Sequence, residues 1–246
     1  MIQQTVNRIA KLTNQAIQET ADLFEKDIKE FDDHRILTQF FLSKTVTSYF
    51  AVWILCKNGY GQDALVILRT IFENLVNLSY VNKNPATLVP LFIEYDHIRA
   101  RQKLQDYEKC YSEFHDEESR KYIMEQYDRV KNHYPKKFSW SRVSLFDMAK
   151  SCGLEKDYYR VYTVGSEFIH GGSDTVSDYI KRNESHFDVR FGERSKDKTN
   201  FALLSACSLV LTVIQEACKV FALEPPSCCN EVEKRITKAK GMYIDI

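Results

Sequence analysis

Arg69 and Glu73 stand four residues apart in Leu65-Val66-Ile67-Leu68-Arg69-Thr70-Ile71-Phe72-Glu73-Asn74-Leu75, and about a hundred residues later comes Ser166-Glu167-Phe168-Ile169-His170-Gly171-Gly172. These two stretches supply a carboxylate, a permanent cation and an imidazole, each beside strongly apolar sequence. A charge taken out of water must be paired, and a histidine next to such a pair can move a proton near neutral pH. Arg69, Glu73 and His170 are therefore the expected catalytic group, provided the fold brings the two stretches together.

Projecting the first stretch as a helix, at roughly 100° per residue, puts Gln62, Glu73, Asn77 and Tyr80 on one face with Arg69. Leu65, Leu68, Ile71, Phe72, Leu75 and Leu78 fill the opposite half, and Val66 alone breaks the polar side. Two arrangements fit this pattern. One is a wet amphipathic face whose i,i+4 ion pair is worth about 0.3–0.5 kcal/mol. The other is a face lining an internal cleft, in which Arg69 orients Glu73 or binds an anion, with Asn77 and Tyr80 as binding residues.

In the second stretch Tyr158, Val161, Tyr162, Gly165, Phe168 and Ile169 form an apolar stripe. Gly165 leaves room for another helix to approach, and Tyr162 and Ser166 are further candidate binding residues. His170 at a helix C-terminus would have its protonated form favoured by the dipole, and Gly171 suits the left-handed residue that follows. Ser166 and His170 are one turn apart, but no Gly-x-Ser-x-Gly elbow presents the serine, so a serine hydrolase is not expected.

Helical periodicity runs through nearly the whole chain. Amphipathic helices are expected over Met1 to about Glu30, Ile36 to Lys57 (stopped by Asn58-Gly59), Gln62 to Val81 (stopped before Pro85) and Leu88 to Glu108. Further helices are expected over Glu117 to Asn132, after Ser144 as a cap up to Gly153, over Glu155 to Ile169, from Phe201 with Asn200 as a cap, and after Ser227. Asp174 to Thr199 reads as loop, and no stretch alternates as a strand should. The expectation is all-α: a single bundle of about eight or nine helices over 1–246. Its core spans about 34–222, with helices at 1–31 and 228–241 peripheral.

The 246 residues are 44% hydrophobic with 8 Gly and 5 Pro, which suits a large core and argues against a turn-rich sandwich. Lys plus Arg equals Asp plus Glu at 34 each, so no global field draws the chain to nucleic acid or membrane. The seven cysteines read as core hydrophobes in a reducing compartment, and the vicinal pair Cys228-Cys229 lacks further ligands for zinc. The N-terminus has no signal-peptide run, and Gln215, Glu216 and Lys219 interrupt the most apolar helix. A cytoplasmic protein without a membrane span is expected.

Leu68-Arg69-Thr70-Ile71-Phe72-Glu73 followed by Phe168-Ile169-His170-Gly171 resembles a bacterial family of helical proteins of unknown function, over roughly Phe40 to Phe221. That family carries Arg-x-x-x-Glu on one helix and His-Gly after another, and is distantly similar to the HEPN superfamily of helical bundles. The resemblance implies a HEPN-like core, a homodimer, and a toxin or phage-defence component acting on RNA or nucleotides. HEPN nucleases place four to six residues between an arginine and a histidine. Arg129 to His133 and Arg182 to His186 have three, and Arg160 to His170 nine, so that motif does not transfer.

Three functions compete. An RNA- or nucleotide-directed protein would use Arg69, Glu73 and His170, with Tyr95, Tyr159 or Tyr162 stacking on a base. A non-catalytic dimeric interaction module of a defence or toxin-antitoxin system would use the same residues as struts. A metal-binding bundle has only one Glu-x-x-His, Glu94 to His97, where two would be needed. No Walker loop, GxGxxG or zinc array is present, and no cofactor is expected.

Overall fold

The computed structural model describes residues 2–27, 32–111, 116–134, 140–170, 173–182, 186–189, 194 and 198–240. Helices α1 (Ile2–Asp27), α2 (Asp33–Lys57), α3 (Gly61–Val81), α4 (Pro85–Cys110) and α5 (Glu117–Val130) follow one another along the chain. Their ends obey local chemistry. Asp32 accepts the Arg35 amide to cap α2, and Gly59, at φ 83°, turns the chain after it. Pro85, with its fixed φ, opens α4.

A short α6 (Leu145–Ser151) is capped by Ser144, whose hydroxyl accepts the Asp147 amide at 3.1 Å, and Gly153 ends it at φ 74°. One continuous rod then comprises α7 (Glu155–Asp157), a π-helical stretch Tyr158–Thr163 and α8 (Val164–His170). The expected uninterrupted α-helix is thus replaced by a wider central turn. Gly171 lies outside the described residues.

The segment read as loop contains α9 (Val176–Tyr179) and two short antiparallel strands, β1 (Ile180–Arg182) and β2 (Phe187–Val189), with Ile180 opposite Val189. Three residues per strand are too few to show alternation above background, so periodicity missed them. The chain ends in α10 (Thr199–Val220) and α11 (Cys228–Lys240). Asn200 does not cap α10: the cap position is Lys198 in left-handed backbone, and the Asn200 Oδ1 is buried with no partner among the described residues.

The described residues are almost entirely helical, an all-α bundle. Its centre is α2, α3 and α10 packed on one another, with α1 and α11 laid against α10 and α8 against α3. Leu65, Leu68, Ile71, Phe72, Leu75 and Leu78 are at most 1% exposed, as the apolar half of α3 predicts. Burying each contributes about 1.5–3 kcal/mol. By length and composition α3 and α10 could each cross a bilayer; here both are core helices, α10 the more deeply buried. The Asn82 amide bridges helices, its Oδ1 accepting from His34 Nε2 at 2.9 Å and its Nδ2 donating to Glu216 at 3.1 Å.

Candidate functional site

The polar face of α3 is not a wet face. Gln62 and Asn74 are buried, and Arg69, Glu73, Asn77 and Tyr80 are half-buried. The cover over Arg69 comes from the rod that ends in α8. Gly165 is where the two helices touch: a Cβ there would lie 2.8 Å from the Leu65 carbonyl oxygen and 3.0 Å from the Arg69 Cβ. Only a glycine allows that approach. Phe72 meets the rings of Tyr158 and Tyr162, both at 6.2 Å, so the rod runs antiparallel to α3.

Arg69 donates through Nε to Glu73 Oε1 at 2.9 Å and through Nη2 to the Tyr162 hydroxyl at 2.9 Å. Its guanidinium carbon also lies 4.4 Å from the Tyr162 ring centroid. Tyr162 is backed by Tyr158, stacked at 4.8 Å, whose own phenol is held above its usual pKa by burial and then by the neighbouring Tyr162. With side-chain exposures of 20% and 37%, the Arg69–Glu73 pair sits at the boundary between interior and solvent. The arginine thus spends two of its N–H groups on Glu73 and Tyr162, and the first holds the Glu73 carboxylate in one orientation.

His170 is placed elsewhere. It is exposed at the end of α8, five residues beyond Gly165, which is about 7 Å further along the axis and roughly 140° around it. Because the rod is antiparallel to α3, that step leads away from Glu73. Ser166 donates to its own Tyr162 carbonyl at 2.7 Å and is not engaged with His170. The structure therefore joins Arg69, Glu73 and Tyr162, ties Ser166 only to the Tyr162 backbone, and places His170 at the exposed end of α8.

Glu73 faces a cleft of about 670 Å³ between α2, α3 and α4. From α3 it receives Glu73, Asn74 and Asn77; from α2, Phe40, Phe41 and Lys44. α4 contributes Phe92, Tyr95, Asp96, Arg99 and Gln102, and Trp140, Leu145 and Met148 close it. Trp140 donates from Nε1 to Asn77 Oδ1 at 3.0 Å, and its ring meets Phe92 at 5.0 Å and Tyr80 at 6.0 Å. Asn74 is 2% exposed, and its Nδ2 has no hydrogen-bond partner among the described residues. Such a group costs about 1–3 kcal/mol.

Of the residues expected from sequence, Glu73, Asn77 and Tyr95 line this cleft, Arg69 and Tyr162 stand behind Glu73, and Tyr80 stands behind Trp140. Asn74, Lys44, Arg99 and Trp140 were not foreseen. Trp140 alone carried a signal, as a lone tryptophan in a polar connection. Two smaller cavities lie elsewhere, one of about 270 Å³ beside Trp53 and Cys56 and one of about 420 Å³ between α1 and α2.

Among the described residues no cluster of three His, Cys, Asp or Glu could hold a metal. Glu94 of the single Glu-x-x-His lies 3.5 Å from His133 instead.

Residues 34–187, more than half of the chain, match the model of a family described as "Family of unknown function (DUF5677)". The chain belongs to that family. The matched span holds every residue that lines the 670 Å³ cleft, together with Arg69, Tyr162, Gly165 and His170. No curated protein and no solved structure matches the chain.

Proposed function

We propose that this family member binds a nucleotide, or one nucleotide of a single-stranded RNA, in the cleft between α2, α3 and α4. This is the reading expected of a HEPN-like helical protein that serves as a cytoplasmic toxin or defence component. One observation carries it. A single cavity of about 670 Å³ combines flat rings (Trp140, Phe92, Tyr95), two cations (Lys44, Arg99) and oriented polar groups (Glu73, Asn77). Rings stack on a base, cations take a phosphate, and a carboxylate or amide reads a base edge. The volume falls within the range of small-molecule sites, about 300–1,000 Å³.

Binding is supported better than cleavage. A metal-independent ribonuclease needs a free cation beside a proton-transferring imidazole. Arg69 is committed to Glu73 and Tyr162, and His170 is exposed beyond the far side of Gly165. Lys44→Ala with Arg99→Ala should weaken binding of a nucleoside monophosphate or a short single-stranded RNA at least tenfold. It should also flatten the salt dependence, because two phosphate contacts are removed. Unchanged affinity and salt slope in a fluorescence-anisotropy titration would refute the reading.

A dimeric interaction module is the second reading, and a different surface favours it. Phe187 is 64% exposed, and Ile169, Val176, Tyr179, Ile180 and Val189 are also exposed along the segment from α8 to β2. These exposed apolar side chains on one stretch of chain are the observation that favours it. Sedimentation that finds a monomer at every concentration counts against this module and leaves the nucleotide reading untouched.

A further inference from the structure

We infer that the cleft selects guanine over the other bases; the inference rests on the nucleotide reading above and specifies its ligand. Two polar groups of the α3 wall are oriented by partners that can only donate. Arginine has no acceptor, so at 2.9 Å it fixes the Glu73 carboxylate through one lone pair of Oε1; the second lone pair of Oε1 and those of Oε2 have no hydrogen-bond partner among the described residues. The indole N–H likewise has no acceptor, so the Asn77 atom it meets at 3.0 Å is the amide oxygen. That leaves the Asn77 NH₂ as a donor with no partner among the described residues. The assignment of the amide does not depend on how its two ends are distinguished, because only one end can face Trp140.

Glu73 and Asn77 are one turn apart on a common face, with Cβ atoms about 5–6 Å from each other. The wall therefore presents an anionic acceptor beside a neutral donor. A ligand edge that satisfies both must offer N–H to the carboxylate and an acceptor to the amide. Guanine offers two adjacent N–H donors, N1 and N2, and then the O6 acceptor. Adenine and cytosine offer one amino group and a ring nitrogen, so the carboxylate gains one hydrogen bond instead of two. Uracil offers one N–H flanked by two carbonyls, and one of these would face the carboxylate lone pairs. A site built to accept an N–H discriminates strongly against a ligand that lacks it, because its own group is then left unpaired.

The floor of the cleft adds a second donor. Asn74 keeps Nδ2 out of water with no acceptor among the described residues. The terminal torsion of asparagine is soft, so a small swing turns that N–H₂ toward a carbonyl oxygen seated at the floor. O6 is the only carbonyl a purine of this kind brings. Trp140 and Tyr95 line the same cleft and supply ring contacts for the base, and Lys44 and Arg99 remain for its phosphate.

The test is calorimetric titration of the full chain with guanosine, inosine, adenosine, cytidine and uridine monophosphates. The inference expects guanosine monophosphate to bind at least tenfold tighter than the adenosine compound. Inosine, which lacks the N2 amino group, should fall between them. Glu73→Gln should abolish the preference, since its amide keeps one acceptor for Arg69 and turns a donor toward N1–H. Should that variant fail to fold, Asn77→Asp tests the same edge by setting lone pairs against O6, and it too should lose guanosine binding selectively. Equal affinity for guanosine and adenosine monophosphates overturns the guanine inference while the nucleotide reading stands. Absence of binding to all five overturns both.

Discussion

Arg69 makes two hydrogen bonds and a ring contact from one guanidinium: one bond goes to Glu73 on its own helix, and the other bond and the ring contact go to the hydroxyl and the face of Tyr162 on the rod. A lysine could not reproduce this, because a point charge lacks the planar fork. Arg69→Ala should lower stability by about 1–3 kcal/mol, the cost of leaving charged and polar partners unpaired, read from urea denaturation midpoints. It should also release Glu73 and weaken nucleotide binding, whereas His170→Ala should change neither. The spacing of Arg69 and Glu73 already implied their pairing, since i,i+4 residues on a helix are neighbours. The remoteness of His170 was not legible. It depends on the direction in which the rod crosses α3, which is a tertiary fact that no local pattern encodes.

The contact between α3 and the rod depends on Gly165, at the level of Leu65 and Arg69. In Gly165→Ala the new methyl would press on a helix carbonyl and on the Cβ of Arg69. Neither can yield without moving a whole helix. The expected loss is about 1–3 kcal/mol, measured as a fall in melting temperature, with displacement of Tyr162 from Arg69. Gly153→Ala is the contrast: nothing lies within 4 Å, and only its φ of 74° resists the change, so the cost should stay near 1–2 kcal/mol. Helix ends were readable wherever a specific residue enforces them, as Gly59, Pro85 and Ser144 do. The π turn was not readable, because Tyr158 to Thr163 has no sequence mark that separates it from ordinary helix. The hairpin at Ile180–Arg182 and Phe187–Val189 escaped notice through shortness alone.

Across the whole molecule all seven cysteines are free, and Cys207, Cys218 and Cys229 are buried in the bundle. Burial raises the Cys56 thiol from its ordinary 9.0 to about 12, and the Cys207, Cys218 and Cys229 thiols to about 11. Burial likewise pushes the Tyr49 phenol upward. A thiol whose folded pKa lies above its unfolded one holds its proton in the native state after the unfolded chain has released it. Its contribution is fully present below pH 9 and is lost as the pH climbs toward 11 and 12. Denaturant midpoints should therefore fall steadily above pH 9, by at least about 1 kcal/mol per pH unit. A flat profile to pH 11 would show that these thiols are open to solvent. The helical periodicity that runs through nearly the whole chain, with its apolar fraction, made the bundle legible at this scale. The cleft was legible only in part, because Lys44, Arg99 and Trp140 come from three separate stretches that meet through packing alone.

The wide turn at Tyr158–Thr163 holds one residue more than an α-helix of the same rise needs. Excising a residue such as the exposed Thr163 would restore ordinary pitch while the flanks, Glu155–Asp157 and Val164–His170, kept their seats. The same excision inside Gly61–Val81 would swing everything beyond it by about 100° and carry Glu73 out of the cleft. Length variation is thus cheap on the covering rod and forbidden on the helix it covers.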